Sequence, residues 1–132
     1  MRADRLAAVL GALAVGAAVV LGVWATGGPM QGRAERRDEV RFQDLLSLKE
    51  QVDCLADAAN RTLPARLEET DLCLIADRYE DPFTGEPYVY KRVSATGFRL
   101  CAEFEAPEMT RFIHGTFDAK AGCLSFDLKY RY

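Results

Sequence analysis

The sequence predicts an α+β protein: an N-terminal transmembrane helix, one amphipathic helix, and a small C-terminal antiparallel sheet of three to four strands. Three observations predict it. Leu6 to Ala25 is a run of 20 residues without a polar side chain. Leu45, Leu48, Val52, Leu55 and Ala59 then step by three and four, so a helix carries them on one face. Finally, eleven of the twelve Phe and Tyr residues lie from Tyr79 onward, and aromatic enrichment favours strands. The resulting division is a short N-terminal segment (1–5), the membrane helix (6–25), a linker (26–36) and an α+β domain (37–132); the alternative is a helix that continues the membrane span with a break at Gly27–Pro29.

The apolar run comes first. As a helix it spans about 30 Å, the thickness of a bilayer's hydrocarbon core. Trp24 stands near its end, where an indole prefers the interface. The competing reading is a cleaved signal peptide, with Arg2 and Arg5 as a basic n-region and Val23-Trp24-Ala25 before the cleavage point. The run exceeds the usual signal-peptide core of about 7–15 residues, so the anchor is preferred. Small residues recur four apart in it, at Ala8, Ala12, Gly16 and at Ala14, Ala18, Gly22. Such ridges permit close helix approach, and an Ala-rich composition produces them equally well.

Charge is divided unevenly along the chain. The 132 residues hold 17 Lys and Arg against 20 Asp and Glu, a net charge of −3. No charged residue occurs from Leu6 to Gly32; residues 33–132 carry 15 basic and 19 acidic side chains, a net of −4. Nothing basic is left over to grip phosphates, so nucleic acid is excluded as the expected partner. The length suits one folded domain after the anchor. Arg33, Arg36, Arg37 and Arg41 follow the span while Arg2 and Arg5 precede it. That count alone favours keeping the domain inside the cell.

Within the domain, Arg41/Asp44, Lys49/Asp53 and Asp57/Arg61 are opposite charges at helical spacing, expected on the solvated side of the helix. Leu63-Pro64 ends the helix, because a residue before proline avoids the helical region; Pro64 starts a short second turn through Glu69. Tyr88–Val93 and Phe98–Phe104 flank Ser94-Ala95-Thr96-Gly97 and read as a hairpin. Phe98, Leu100, Ala102 and Phe104 share one face, and Arg99, Cys101 and Glu103 the other. Leu124, Phe126, Leu128 and Tyr130 alternate likewise with Cys123, Ser125, Asp127 and Lys129. Arg111–Phe117 is a further candidate strand, turning at Asp118–Gly122.

The cysteines bear on compartment. Cys54, Cys73, Cys101 and Cys123 form no CxxC pair, which argues against a redox motif or zinc ribbon. Strand parity puts Cys101 and Cys123 on the polar faces of their strands, which favours their pairing and leaves Cys54 with Cys73. Each bridge closes a loop of some twenty residues, worth roughly 3 kcal/mol. Disulfides imply an oxidising compartment, so the expected location is a bacterial inner membrane, single-pass, with the C-terminal domain in the periplasm. Four reduced, buried thiols are the alternative, and an interchain bond a lesser one. On a helical wheel Cys54 lies well off the leucine stripe. It reaches Cys73 only if that segment runs along the flank of the helix.

Asp81-Pro82-Phe83-Thr84-Gly85-Glu86-Pro87-Tyr88 is rich in turn formers. An apolar helix, an amphipathic helix followed by Leu63-Pro64, and a DP-x-x-G-x-P-Y-x-Y stretch (Asp81, Pro82, Gly85, Pro87, Tyr88, Tyr90) resemble type II secretion major pseudopilins; Phe83 stands where that class commonly has Trp. The domain also resembles a group of bacterial membrane-anchored proteins without assigned activity. Their pattern is RD-x-x-R-x-x-DL (Arg37, Asp38, Arg41, Asp44, Leu45), then DP-x-TG-x-P-Y-x-Y with Thr84 and Gly85, then LCA-x-F (Leu100 to Phe104) before a last Cys123. The resemblance implies a pilin-like fold. The processing site and intramembrane Glu of pilins are replaced here by Met1-Arg2-Ala3-Asp4-Arg5-Leu6-Ala7.

No catalytic constellation stands out. His114 is the single histidine and has no Ser or Cys at diagnostic spacing. Ser94 and Ser125 lack a nucleophile-elbow context. Asp77, Glu80, Asp81 and Glu86 are weak calcium candidates, and a capped, solvated turn explains them equally. Tyr130-Arg131-Tyr132 reads as a strand end that doubles as a contact candidate. The expectation is a membrane-anchored periplasmic protein without catalytic residues or cofactor, a structural or accessory protein-protein interaction component of an envelope complex, whose partners are the bilayer through 6–25 and other membrane or periplasmic proteins. A pseudopilin-like subunit, and a soluble periplasmic binding module or enzyme after signal cleavage, are the alternatives.

Overall fold

A computed structural model describes residues 2–74, 78–107 and 117–128. The chain forms two units, residues 1–34 and 35–132.

The first unit contains helix α1, Arg2–Ala25. It is long and apolar enough to cross a membrane, and no part of its apolar stretch is covered by protein. Leu6, Val9, Leu13, Val20 and Leu21 are all exposed. A helix that is apolar on every face has no polar side to give to water. It ends where Thr26 Oγ1 accompanies its own N–H back to Gly22 O, at 3.0 and 3.1 Å. Gly27 then takes a φ of 81°, the left-handed conformation that glycine adopts without cost. Only Thr26 and Gly27 interrupt the helical state: α2, Gly28–Ala58, begins at once, with Pro29 in its first turn. Residues 28–36, expected as linker, are therefore helical.

In the second unit, α2 buries Asp38, Arg41, Leu45, Leu48, Val52 and Ala56 along one stripe, with Asp44 and Gln51 beside it. The expected stripe is kept at Leu45, Leu48 and Val52. It then passes through Ala56 rather than Leu55 and Ala59, of which the first is half-buried and the second exposed. The helix stops at Ala58, short of Leu63-Pro64, because Asn60 and Arg61 adopt φ of 54° and 65° and the Arg61 N–H closes on Ala56 O at 2.7 Å. Beyond it no helical turn forms through Glu69. That stretch is held instead by side chains, with Tyr90 Oη donating to Pro64 O and Gln51 Nε2 to Glu68 O.

Among the described residues the sheet has four antiparallel strands in the order β1-β2-β4-β3: β1 Val89–Arg92, β2 Gly97–Cys101, β3 Phe117–Asp118 and β4 Cys123–Asp127. The β1–β2 hairpin pairs Tyr90 with Leu100 and Arg92 with Phe98. Its turn is tied by Ser94 Oγ, which accepts from the N–H groups of Thr96 and Gly97. β2 pairs with β4 from Gly97↔Asp127 to Cys101↔Cys123. The β3–β4 turn brings Gly122, at φ 62°, so close to Ala102 that a Cβ would sit 2.4 Å from the Ala102 carbonyl oxygen; only glycine fits. β2 ends at Cys101, earlier than the expected Phe104. Of the expected 111–117 strand, residues 111–116 lie outside the described residues, as do Lys129 and Tyr130 of the last one.

Leu45, Leu48, Val52, Ala56 and Leu63 form one core with Phe98, Leu100, Leu124 and Leu128. Phe98 stacks obliquely on Phe126 at 5.4 Å, and Phe104 meets Phe117 edge-on at 5.1 Å. Leu100→Ala should cost about 2–5 kcal/mol by opening a cavity where helix and sheet meet. Val93→Ala, on an exposed turn residue, should change stability by less than about 0.5 kcal/mol. Chemical denaturation of the full chain in detergent, followed by circular dichroism, checks both.

Candidate functional site

The most heavily built polar feature of the domain is a buried ion cluster on α2. Arg37, Asp38, Arg41 and Asp44 occupy successive helical turns, so Asp38 and Arg41 continue the line of Leu45, Leu48 and Val52. Arg41 is 1% exposed. Its Nε donates to Asp81 Oδ2 at 2.6 Å, and its Nη1 donates to Asp38 Oδ1 at 2.8 Å and Glu105 Oε1 at 2.9 Å. Arg37 Nη2 pairs with the other Glu105 oxygen. Asp38 also accepts from the backbone N–H groups of Glu105 and Ala106 at 2.9 and 2.7 Å. The Phe83 ring covers the guanidinium, 5.5 Å from its carbon.

The turn-forming loop makes this geometry possible. Asp81 and Glu86 close it with an N–H to carbonyl bond of 2.8 Å, and Asp81 Oδ1 accepts from the Phe83 N–H at 2.8 Å. That Asx turn aims the second carboxylate oxygen at Arg41. A bridge between Glu80 and Pro87 and the Tyr88 N–H to Tyr79 O bond, 2.9 Å, fix the loop's base. Tyr88 Oη then donates to Asp44 at 2.8 Å. One helix face thus grips the loop and the 105–106 segment together.

The electrostatics follow from burial and pairing. Burial by itself lowers the Arg41 pKa, but the hydrogen bonds to Asp81, Asp38 and Glu105 outweigh it and hold the guanidinium charged. Burial pushes the Asp81 carboxyl up; the Arg41 hydrogen bond and the Phe83 N–H more than offset this and keep it below the ordinary aspartate value. Tyr88 is raised by burial and then by Asp44, so its phenol stays protonated. The charges of Asp38, Arg41 and Asp81 are all spent on other groups of the same chain. The arrangement clamps and orients segments.

The structure corrects one expectation directly. Arg41 and Asp44 are buried, not on the solvated side, because Asp38, Asp81 and Glu105 satisfy the one and Tyr88 the other. Lys49–Asp53 and Arg61–Asp57 are the expected helical pairs, at 2.7 and 3.0 Å. Among the calcium candidates, Asp81 is committed to Arg41 and the Phe83 N–H, Glu80 and Glu86 are exposed, and Asp77 lies outside the described residues. Among the described residues no three His, Cys, Asp or Glu side chains gather to hold a metal ion. Ser94 caps the hairpin turn and Ser125 accepts from Arg99 Nε at 3.1 Å. His114 and Tyr130-Arg131-Tyr132 lie outside the described residues. Sequence reasoning missed Glu105 and the fusion of Asp38, Arg41 and Asp81 into one cluster. The available signal was the alignment of Asp38 and Arg41 with the leucine stripe.

All four cysteines are paired, Cys54 with Cys73 and Cys101 with Cys123. The Cys73 segment does run along the helix flank, with Cys73 fully buried and Cys54 half-buried. Glu39, Gln43, Leu46 and Glu50 line a shallow open groove bordered by Arg78; Gln43 and Glu50 lie eleven and four residues before Cys54 and so share its side of the helix.

Arg41→Met should destabilise the domain by about 3–5 kcal/mol, since it leaves buried carboxylates unpaired; equilibrium denaturation measures this. Because the native Asp81 pKa is depressed, its contribution is present above the unfolded value of about 3.9 and is lost as pH falls through the lower native value. Asp81→Asn should therefore lower stability at neutral pH and flatten the acid limb of a stability–pH curve relative to wild type.

No family model, no curated protein and no solved structure matches this chain.

Proposed function

We propose that the protein is a single-pass inner-membrane protein whose disulfide-bonded domain faces the periplasm and works by contact with other envelope proteins. The observation that carries this reading is the combination of a long apolar helix with a doubly stapled domain. Disulfides persist in oxidising compartments and staple small domains whose cores are thin. The ion cluster on α2 supports a presenting role, because its charges are consumed in holding the loop and α2 as one rigid surface. The flank groove at Glu39, Gln43, Leu46 and Glu50 is the candidate contact surface.

A pilin-like assembly subunit is the second reading. The helical N-terminus leading into a helix packed on an antiparallel sheet favours it. This reading concerns architecture alone.

Two measurements test the proposal. A membrane-impermeant maleimide applied to spheroplasts should label the protein only after reduction, and the protein should stay with membranes after alkaline extraction. Labelling without reductant, in a cytosolic fraction, would end the periplasmic reading. A photo-crosslinking residue in place of Gln43 should give discrete heavier adducts in cells, and an unmodified band alone would remove the contact role.

A further inference from the structure

The groove on α2 runs toward the Cys54–Cys73 bridge. Two contacts lay the 68–73 stretch along the last turns of the helix: Gln51 Nε2 donates to Glu68 O at 3.1 Å, and Cys54 is bonded to Cys73. The groove occupies the turns before them, with aliphatic surface from Val40 and Leu46 and a rim of Glu39, Gln43 and Glu50. Glu50 and Ser47 lie four and seven residues before Cys54, so the groove meets the stapled segment on one side of α2.

At that end the surface is apolar. Leu72 and Leu74 are 83% and 69% exposed, while Cys73 between them is fully buried. The Cys73 N–H also bonds Thr70 O at 3.0 Å. With the middle residue stapled inward, its two neighbours are held outward. Side chains fixed in this way lose little freedom on binding, and clustered exposed aliphatics mark contact surfaces.

The border is acidic. Glu39, Glu50, Glu69 and Asp71 are exposed, and among the described residues none of them is in an ion pair. The bases close by are already matched: Arg78 borders the groove 3.9 Å from Asp44, Lys49 pairs with Asp53, and Arg66 pairs with Glu68. The exposed Arg33 and Arg36 of α2 lie before the groove begins.

We propose that the groove and the Leu72/Leu74 turn are one docking surface for a basic amphipathic helix of a partner envelope protein. Charge complementarity chooses the occupant: an apolar helix face flanked by Lys or Arg meets the aliphatic strip and its acidic border together. From Val40 to Cys54 the strip runs about 21 Å along α2, so a partner helix of about 14 residues spans it. An anionic bilayer surface is repelled by the same acids. Two copies joined through this surface by a twofold axis would set those acids against each other. The inference rests on the reading of the domain as a contact module, and it names the partner's chemistry.

The test places a photo-crosslinking residue at Gln43 and, in a second version, at Leu72 of the full chain in cells that make it. Each crosslinked peptide is identified by mass spectrometry. Both positions should capture one partner, on a segment with Lys or Arg beside apolar residues at helical spacing. Glu50→Lys with Asp71→Lys should lower both adducts about tenfold or more, as like-charge juxtaposition requires. Glu50→Gln with Asp71→Asn should lower them less, because it removes attraction without adding repulsion. Intact disulfides and an unchanged circular dichroism spectrum in each variant show that folding is not the cause. An adduct from only one position, different partners at the two, or adducts indifferent to charge reversal would overturn the inference and leave the contact role standing. It is overturned equally by a captured peptide without basic residues, by a lipid adduct, or by a peptide of this chain itself. Adducts from neither position would remove the contact role as well.

Discussion

The domain is organised around one buried guanidinium. Arg41 sits on the face of α2 that otherwise carries leucines, and it is tolerated there because Asp38, Asp81 and Glu105 arrive from three directions. A buried ion pair is weak evidence for net stability, since desolvation consumes much of the attraction. Its stronger consequence is geometric. A planar donor fork accepts few arrangements of carboxylates, so the loop at Asp81 and the segment at Glu105 must both dock in one register on the helix. The hydrophobic core alone, made of interchangeable aliphatic contacts, imposes no such register.

The covalent staples act at other places. Cys101–Cys123 joins β2 and β4 at the end where both leave the sheet, and Cys54–Cys73 ties an otherwise irregular segment to the far part of α2. The ion cluster lies toward the beginning of the domain's part of α2 and the Cys54 bridge toward its end. The helix is thus gripped at both ends, with the leucine core between. A domain of this size buries a limited apolar area, and cross-links reduce the freedom of its unfolded chain.

The surface divides in the same way as the interior. Groups that hold the domain together are satisfied internally: Arg41, Asp38, Asp44 and Tyr88 all spend their polar atoms on the chain itself. What remains exposed is apolar or singly charged and set on rigid supports, namely the stapled turn at Leu72 and Leu74, the edge strand β1, and the groove along α2. Such surfaces suit recognition, which depends on placed side chains more than on reactive ones.

Periodicity and composition determined the local elements. An unbroken apolar run, a 3.6-residue stripe and period-two alternation each depend on side chains close in sequence, and these revealed α1, most of α2, the hairpin and the Cys101–Cys123 pairing. Tertiary structure decided which charges are buried. Arg41 and Asp44 looked like solvated helix-face residues because their true partners, Asp81, Glu105 and Tyr88, lie some 40 to 64 positions away. Where α2 stops is a local matter: the left-handed turn at Asn60 and Arg61 closes the helix on Ala56 before the proline signal at Pro64 acts. A charge's cost depends on everything folded around it, and no local pattern encodes that; the reach of a side chain along its own helix is a few residues, while the dielectric it experiences is set by the whole fold.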